Sequence, residues 1–339
     1  MKITIDGITL KNNMRVLVTG ARGFIGSHLS ASLANEGIEV VGIDNMESFW
    51  ATFNDIPRPK CNIQDMRDNM QDLPYRRFRL MSADIRDWGR MRELFKEMEF
   101  DVVVHLAAKA GVRPSIKDPA GYARTNITGT VNLLEACLLQ KTMPKFIFAS
   151  SSSVYGNNRK VPFSENDVVD FPISPYAATK KAGELICHTY HHLHQMPMTC
   201  LRFFTVYGPR QRHDLAINKF AKLILARQPI ERFGSGHSSR DYTYVDDIVD
   251  GIKSAIYMCS AYQIINLGSK NPITLNHMIE TISQVVGHPA VILNRPMQPG
   301  DVDTTYADIS KAERLLGYQP KTSFLQGVTN QVEWLKKNK

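Results

Sequence analysis

The sequence predicts an α/β protein: a doubly wound, mostly parallel sheet with a smaller C-terminal α/β lobe. Three observations carry that prediction. Short β-branched runs alternate with helical patterns through residues 1–205. The runs are apolar throughout rather than alternating, as in Val-Val-Val-His-Leu at 102–106. The first run opens directly onto a glycine-rich loop followed by a helical pattern. Strands separated by helices require right-handed crossovers and therefore parallel pairing. A strand covered by helices on both faces is apolar on both.

In order along the chain, candidate strands fall at 15–19, 39–43, 78–82, 101–106, 145–149 and 199–204, with helical patterns at 24–35, 88–98 and 125–139 between them. The stretch 46–75 is polar, contains proline and is rich in Asp and Arg, so it reads as an inserted helix and loop. After Tyr207 the alternation becomes irregular, with loops at 234–239 and 296–300. The chain returns to the sheet near 263–267, so the two parts interleave. Residues 1–205 form the first domain, its sheet completed by a segment near 240–270, and residues 206–339 form mainly the second lobe.

Bulk composition narrows the function classes. The chain has 339 residues, 43% of them apolar and 22% charged, which supplies a large core and excludes domain-scale disorder. The formal net charge is +8, but the basic residues are scattered. That pattern disfavours nucleic acid and accommodates an anionic small ligand. Cysteines stand at 61, 137, 187, 200 and 259, an odd and widely spaced set with no CxxC pair. Neither a disulfide framework nor a zinc site is expected. The first 13 residues lack the apolar core of a signal peptide, and no apolar run has the length of a membrane span. A reducing, cytoplasmic setting is the expectation.

The segment Arg15-Val-Leu-Val-Thr-Gly-Ala-Arg-Gly-Phe-Ile-Gly26 runs from strand to loop to helix. Gly20 permits a tight turn, Gly23 lets backbone approach a pyrophosphate, and Gly26 allows close helix–strand packing. The helix N-terminus then offers unpaired N–H groups to phosphate. Asp44 ends the second strand 18 residues after Gly26, where its carboxylate can accept from ribose hydroxyls and repel a 2′-phosphate. That pairing favours NAD over NADP and a Rossmann-type first domain. Asp84, after the third strand, meets the adenine amino group or caps the next helix.

Tyr176 and Lys180 are spaced i, i+4 at the start of a helical pattern and share its face. An ammonium beside a phenol favours the phenolate, a base suited to a sugar hydroxyl. Nearby, a strand ends in Ser150-Ser-Ser-Ser153. In an open parallel sheet ligands sit beyond the carboxyl ends of strands, so these hydroxyls either hold a substrate or satisfy a polar turn.

At this point the sequence resembles the extended short-chain dehydrogenase/reductase family. The resemblance rests on TGARGFIG at 19–26, HLAAKAGVR at 105–113, SSSSVYG at 150–156, YAATKKAGE at 176–184, RFFTVYGPRQR at 202–212 and RDYTYVDDI at 240–248. GDVDTTYAD at 300–308 and KAERLLGYQP at 311–320 extend it over nearly the whole chain. Within the family the sequence is most similar to UDP-sugar 4-epimerases, UDP-glucuronate 4-epimerases in particular. The resemblance implies Ser151, Tyr176 and Lys180 as catalytic residues, with Lys180 also holding the nicotinamide ribose. It extends the NAD site to Phe24, Ile25, Asn45, Ile85, Leu106, Ala107, Ala108 and Lys109. Thr205 and Arg240 correspond to substrate-phosphate contacts and Asp301 to a nucleoside-side contact. Arg113, Ser152, Ser153 and Arg212 correspond to positions around the sugar and its carboxylate. Pro114 and the run Gln211-Arg212-His213 depart from the family pattern close to the sugar.

The implied chemistry is transient oxidation at C4 to a 4-keto sugar and hydride return to the opposite face. A 4-keto glucuronate is a β-keto acid, so its carboxylate must be held out of line for carbon dioxide loss; Ser152, Ser153 and Arg212 are the candidates. A 4,6-dehydratase needs an acid and a base where this chain has Ser152 and Ser153. UDP-glucose or UDP-N-acetylglucosamine epimerisation, UDP-glucuronate decarboxylation and a non-catalytic dinucleotide sensor are the alternatives. His188 and His192 share a helix face, but no Glu lies between them and no third ligand accompanies them, so no metal is expected. The resemblance also implies a homodimer through the outer face of the Tyr176 helix.

Overall fold

The computed structural model describes residues 4–5, 8–9, 14–47, 77–296 and 304–338. The expected insertion at 46–75 lies almost entirely outside the described residues. So do Asp301 and most of the loop at 296–300.

Seven strands form the main sheet: β1 (Arg15–Thr19), β2 (Glu39–Asp44), β3 (Phe78–Ser82), β4 (Val102–His105), β5 (Lys145–Ser151), β6 (Met198–Phe203) and β10 (Gln263–Leu267), in the order β10-β6-β5-β4-β1-β2-β3. The pairs β1–β2, β1–β4, β2–β3 and β4–β5 are parallel. The order reverses at β1, the topological switch point at which open α/β sheets bind ligands. Its centre is dry: Val16, Leu17, Val18, Val103 and Val104 have no exposed surface.

Helices α1 (Phe24–Asn35), α2 (Trp88–Glu97), α3 (Val112–Lys117), α4 (Pro119–Ala123), α5 (Gly129–Cys137) and α6 (Pro175–His194) accompany these strands. The helical pattern read at 125–139 resolves into a π-helical turn, Arg124–Thr128, followed by α5. Ser174 caps α6, its Oγ accepting from Ala177 N at 3.1 Å, and Pro175 occupies the first turn. A hydroxyl cap followed by proline is a strong helix start, and it places Tyr176 in the first turn. Strand β5 runs two residues past its expected end and includes Ser150 and Ser151, while Ser152–Tyr155 forms a 3₁₀ turn.

The chain divides into two compact units: Met1–Val154 with Pro172–Cys200 and Ala255–Gln263, and Tyr155–Phe171 with Leu201–Ser254 and Ile264–Lys339. In the second unit β9 (Ser239–Tyr244) pairs in parallel with β7 (Thr205–Tyr207) and β13 (Thr304–Thr305), and antiparallel with β11 (Pro272–Thr274). Strands β8 (Ile230–Phe233) and β12 (Ile292–Arg295) form a separate parallel pair. Helix α9 (Leu275–Val286) packs on α7 (Ala216–Leu225) and on α11 (Phe324–Lys337). Among the described residues no helix is long and apolar enough to cross a membrane.

Candidate active site

The glycine loop joins β1 to α1 with Gly20 at φ +69°. A Cβ on Gly26 would lie 2.1 Å from the Gly20 carbonyl oxygen, so only glycine lets the helix start this close to the loop. Gly23 is the N-cap of α1, and no side chain caps that end. The first-turn N–H groups of Phe24, Ile25 and Gly26 are therefore left for a ligand, as a pyrophosphate requires.

Asp44 closes the same loop. Its carboxylate accepts from Arg22 N and Met46 N, both at 3.0 Å, which aims it across the end of β2. Burial raises its pKa, opposed by those two N–H donors and by the Arg22 charge. Asn45 donates to Asp84 at 3.1 Å. Burial raises the Asp84 pKa, but hydrogen bonds from Arg86 and Asn45 outweigh it and the net shift is downward. Asp84 does not cap the next helix; Asp87 does, accepting from Arg90 N at 3.0 Å. Ile85 is buried and touches the position where a Cβ on Gly129 would stand. Leu106, Ala107 and Ala108 follow β4 beside the loop, with Ala107 N 2.8 Å from the place of a Gly20 Cβ. Lys109 sits in the same segment, and its ammonium is paired with Asp118 at 2.7 Å. A donor-rich, side-chain-free cradle beside a carboxylate at the strand end fits a dinucleotide with a free ribose 2′-hydroxyl.

Strand β5 and helix α6 pack against each other and bring Lys180 to the strand end that carries Ser151. Lys180 is 4% exposed, and its Nζ donates to Ala149 O at 2.7 Å. The same ammonium lies 5.1 Å from the centroid of the Phe148 ring. Burial lowers its pKa to about 8. Tyr176 stands one helical turn earlier on the same face, half-buried, with its ring edge-on to Tyr122 at 6.2 Å. Ser151 Oγ accepts from Ser153 N at 3.1 Å, which shapes the turn carrying Ser152 and Ser153. Arg113 projects from α3 and is exposed.

Three further substrate candidates belong to the second unit. Thr205 on β7 pairs with Tyr242 of β9, two positions from Arg240. Arg240 Nη1 donates to Ser239 O at 2.8 Å. Arg212 presents its fork to Asp214, with contacts of 3.1 and 2.8 Å. The carboxylate-clamp candidate thus already meets a carboxylate.

Several polar residues beside the site are buried on partners that the sequence does not announce. Ser150 Oγ donates to Glu184 Oε1 at 2.6 Å, and Glu184 is 1% exposed. His105, Asn126, Thr130 and Thr179 are buried as well. The available signal was a polar residue on an otherwise apolar strand or helix face, His105 after three valines being the clearest case. Among the described residues no group of three or more His, Cys, Asp and Glu side chains is placed to hold a metal. His188 instead packs edge-on against Tyr262.

These features are those of a dinucleotide-binding α/β protein in which the helix carrying Tyr176 and Lys180 is bonded to the strand that ends in Ser151. Residues 17–331 match the family described as GDP-mannose 4,6 dehydratase, and the chain belongs to the extended short-chain dehydrogenase/reductases of NAD-dependent epimerase/dehydratase type. It is 39% identical over 323 residues to a UDP-glucuronate 4-epimerase of Thermodesulfobacterium geofontis, covering 95% of this chain and 96% of the relative. Among solved structures it is similar to the UDP-glucuronic acid 4-epimerase of Bacillus cereus in complex with UDP-glucuronic acid and NAD. That likeness has a TM-score of 0.85 at 38% identity and covers 96% of this chain and 99% of the other. A UDP-glucose 4-epimerase of Thermotoga maritima with UDP-glucose gives a TM-score of 0.83 at 32% identity, covering 96% and 99%.

Proposed function

We propose that this chain is an NAD-dependent UDP-sugar 4-epimerase that interconverts UDP-glucuronate and UDP-galacturonate. The observation that carries the reading is the bond from Lys180 Nζ to Ala149 O, which holds the Tyr-x-x-x-Lys helix against the strand end bearing Ser151. Identities of 38–39% to UDP-glucuronate 4-epimerases support the choice of sugar.

Tyr176 takes the proton of the 4-hydroxyl, with the Ser151 hydroxyl as relay, and returns it after the keto sugar has turned over. The Lys180 ammonium favours the phenolate and holds the nicotinamide ribose. NAD, when bound, supplies a two-electron acceptor that takes the C4 hydrogen and gives it back to the opposite face. The glycine loop and Asp44 retain the cofactor between turnovers, because no net redox change occurs. Ser152 and Ser153 carry neither the acid nor the base that 4,6-dehydration needs, which separates this chain from a dehydratase although the matching family is described by that name. Thr205 and Arg240 bind the diphosphate, Asp301 the nucleoside side, and Arg113 the sugar, by resemblance.

One observation favours a second reading, a neutral hexose. The Arg212 fork is engaged by Asp214, so a sugar carboxylate has to compete for it. Incubation with UDP-glucuronate, UDP-glucose and UDP-N-acetylglucosamine, with products resolved by NMR, separates the two. Turnover of UDP-glucuronate alone is expected. Turnover of the neutral sugars alone would overturn the choice of substrate, and release of carbon dioxide with a UDP-pentose product would make the enzyme a decarboxylase.

A homodimer through the outer face of α6 is part of the proposal, supported by Leu185 and Leu193, which are 57% and 64% exposed. A cytoplasmic setting is proposed from the odd, scattered cysteines.

A further inference from the structure

Strand β1, which leads into the glycine loop, is linked to the first turn of α6 by an unbroken chain of buried hydrogen bonds. Ala107 N donates to Thr19 Oγ1 at 3.0 Å, and Thr19 Oγ1 lies 2.8 Å from His105 Nδ1. His105 Nε2 lies 3.0 Å from Thr130 Oγ1, and Thr130 Oγ1 donates to Asn126 O at 2.6 Å. The Asn126 amide donates to Thr179 Oγ1 at 3.0 Å, and Thr179 Oγ1 donates to the carbonyl of Tyr176 at 2.8 Å. Asn126 also exchanges bonds with Lys109, receiving its N–H and donating to its carbonyl. None of these side chains is more than 5% exposed.

The proton directions follow from counting. A hydroxyl carries one hydrogen. That of Thr130 is committed to Asn126 O, so Thr130 Oγ1 accepts from His105, and Nε2 carries the hydrogen. Nδ1 of the neutral ring then accepts from Thr19, whose oxygen is left to receive Ala107 N–H. A protonated ring would place a second hydrogen against Thr19 and strand the Thr19 hydroxyl. His105 faces the Phe146 and Phe148 rings at 5.9 and 5.8 Å and the two threonine hydroxyls, which bury it without a counter-charge, and the like charge of the Lys180 ammonium acts on it as well. Burial first, and Lys180 second, push its pKa down to about 3.

We propose that His105, held as the neutral Nε2–H imidazole, is a positioning residue that sets the first turn of α6, and so Tyr176, relative to the cofactor loop. The proposal rests on the epimerase reading for the step it positions. The π-helical turn Arg124–Thr128 is the device that makes the link, because it carries both the Asn126 carbonyl that takes the Thr130 hydrogen and the Asn126 amide that reaches Thr179. Turns of this kind recur where a helix must present a side chain out of the regular register.

The test uses the NAD-loaded protein labelled with ¹⁵N-histidine, together with Thr130→Val and Thr130→Ser. The His105 ring is expected to show the Nε2–H tautomer with no titration between about pH 5 and 9. Thr130→Val, which keeps shape and removes the acceptor, is expected to lower kcat about tenfold with KM changed less than about twofold. Thr130→Ser restores the hydroxyl and is expected to restore kcat. An Nδ1–H or protonated ring, or a Thr130→Val enzyme with parental kcat, overturns the proposal. Absence of parental turnover on every UDP-sugar overturns the epimerase reading and the positioning role with it, while the ¹⁵N spectrum still decides the bonding of His105.

Discussion

Lys180 Nζ donates a 2.7 Å hydrogen bond to the carbonyl of Ala149, two residues upstream of Ser151. A single ammonium therefore fixes the distance between the helix that carries the proposed base and the strand that carries the proposed relay. It does so in an apolar setting, against the Phe148 ring and with almost no solvent contact. Burying an ammonium opposes its charge, and this sets the first prediction.

Lys180 has a folded pKa near 8 against a reference of 10.5. Between those values the unfolded chain binds the proton and the folded chain does not, so stability rises with pH across that window. Below pH about 8 both states are protonated and the full cost, about 3 kcal/mol, is present. Urea unfolding of the parent and of Lys180→Met at neutral pH and near pH 10 should show the variant's relative advantage shrinking by about that amount. A pH-independent difference between the two would contradict the buried ammonium.

Tyr176→Phe keeps the ring that packs on Tyr122 and removes the proton acceptor. Turnover should fall by at least about a hundredfold while the UDP-sugar still binds. Calorimetric titration and an NMR turnover assay check the two halves; near-parental turnover would remove Tyr176 from the chemistry.

Gly26→Ala puts a methyl group 2.1 Å from the Gly20 carbonyl oxygen, where only backbone movement can relieve the clash. The loop that would receive the pyrophosphate must then shift. Protein purified with this substitution should carry much less NAD than the parent, measured by releasing and quantifying the nucleotide.

Ser150→Ala removes the hydroxyl donor from the buried Glu184 carboxylate. Losing a partner to a buried charged group costs about 1–3 kcal/mol. Glu184→Gln retains an acceptor at Oε1 and should cost less. Denaturant unfolding at neutral pH ranks them, and equal losses would mean that the Ser150–Glu184 bond contributes little.

Much of this molecule is legible along the chain. The sheet strands at 15–19 and 78–82 and the helix at 24–35 coincide with the observed elements, because each is announced by a local apolar pattern bounded by glycine or polar residues. Tyr176 and Lys180 are equally local, four positions apart after a serine–proline helix start. The break in the pattern at 125–139 was not legible. The sequence there reads as one helix, whereas the π-helical turn holds Asn126, whose side chain satisfies the Lys109 backbone and Thr179, both distant in the chain.

The partners of the buried polar groups were not legible either. Ser150 and Glu184 are 34 residues apart, and Thr19 and His105 are 86 apart. Periodicity places such residues on a core-facing side but says nothing about which donor meets which acceptor.

By itself, then, the sequence determined the α/β class, the glycine loop with Asp44 and the Tyr-x-x-x-Lys helix start, since these depend on local backbone preference and side-chain spacing. Tertiary structure alone decided that Lys180 binds Ala149 O, that Ser150 meets Glu184, and that His105 joins Thr19 to Thr130. Buried hydrogen bonds form only where packing brings distant segments within about 3 Å, and that distance is set by the whole core rather than by any one stretch of chain.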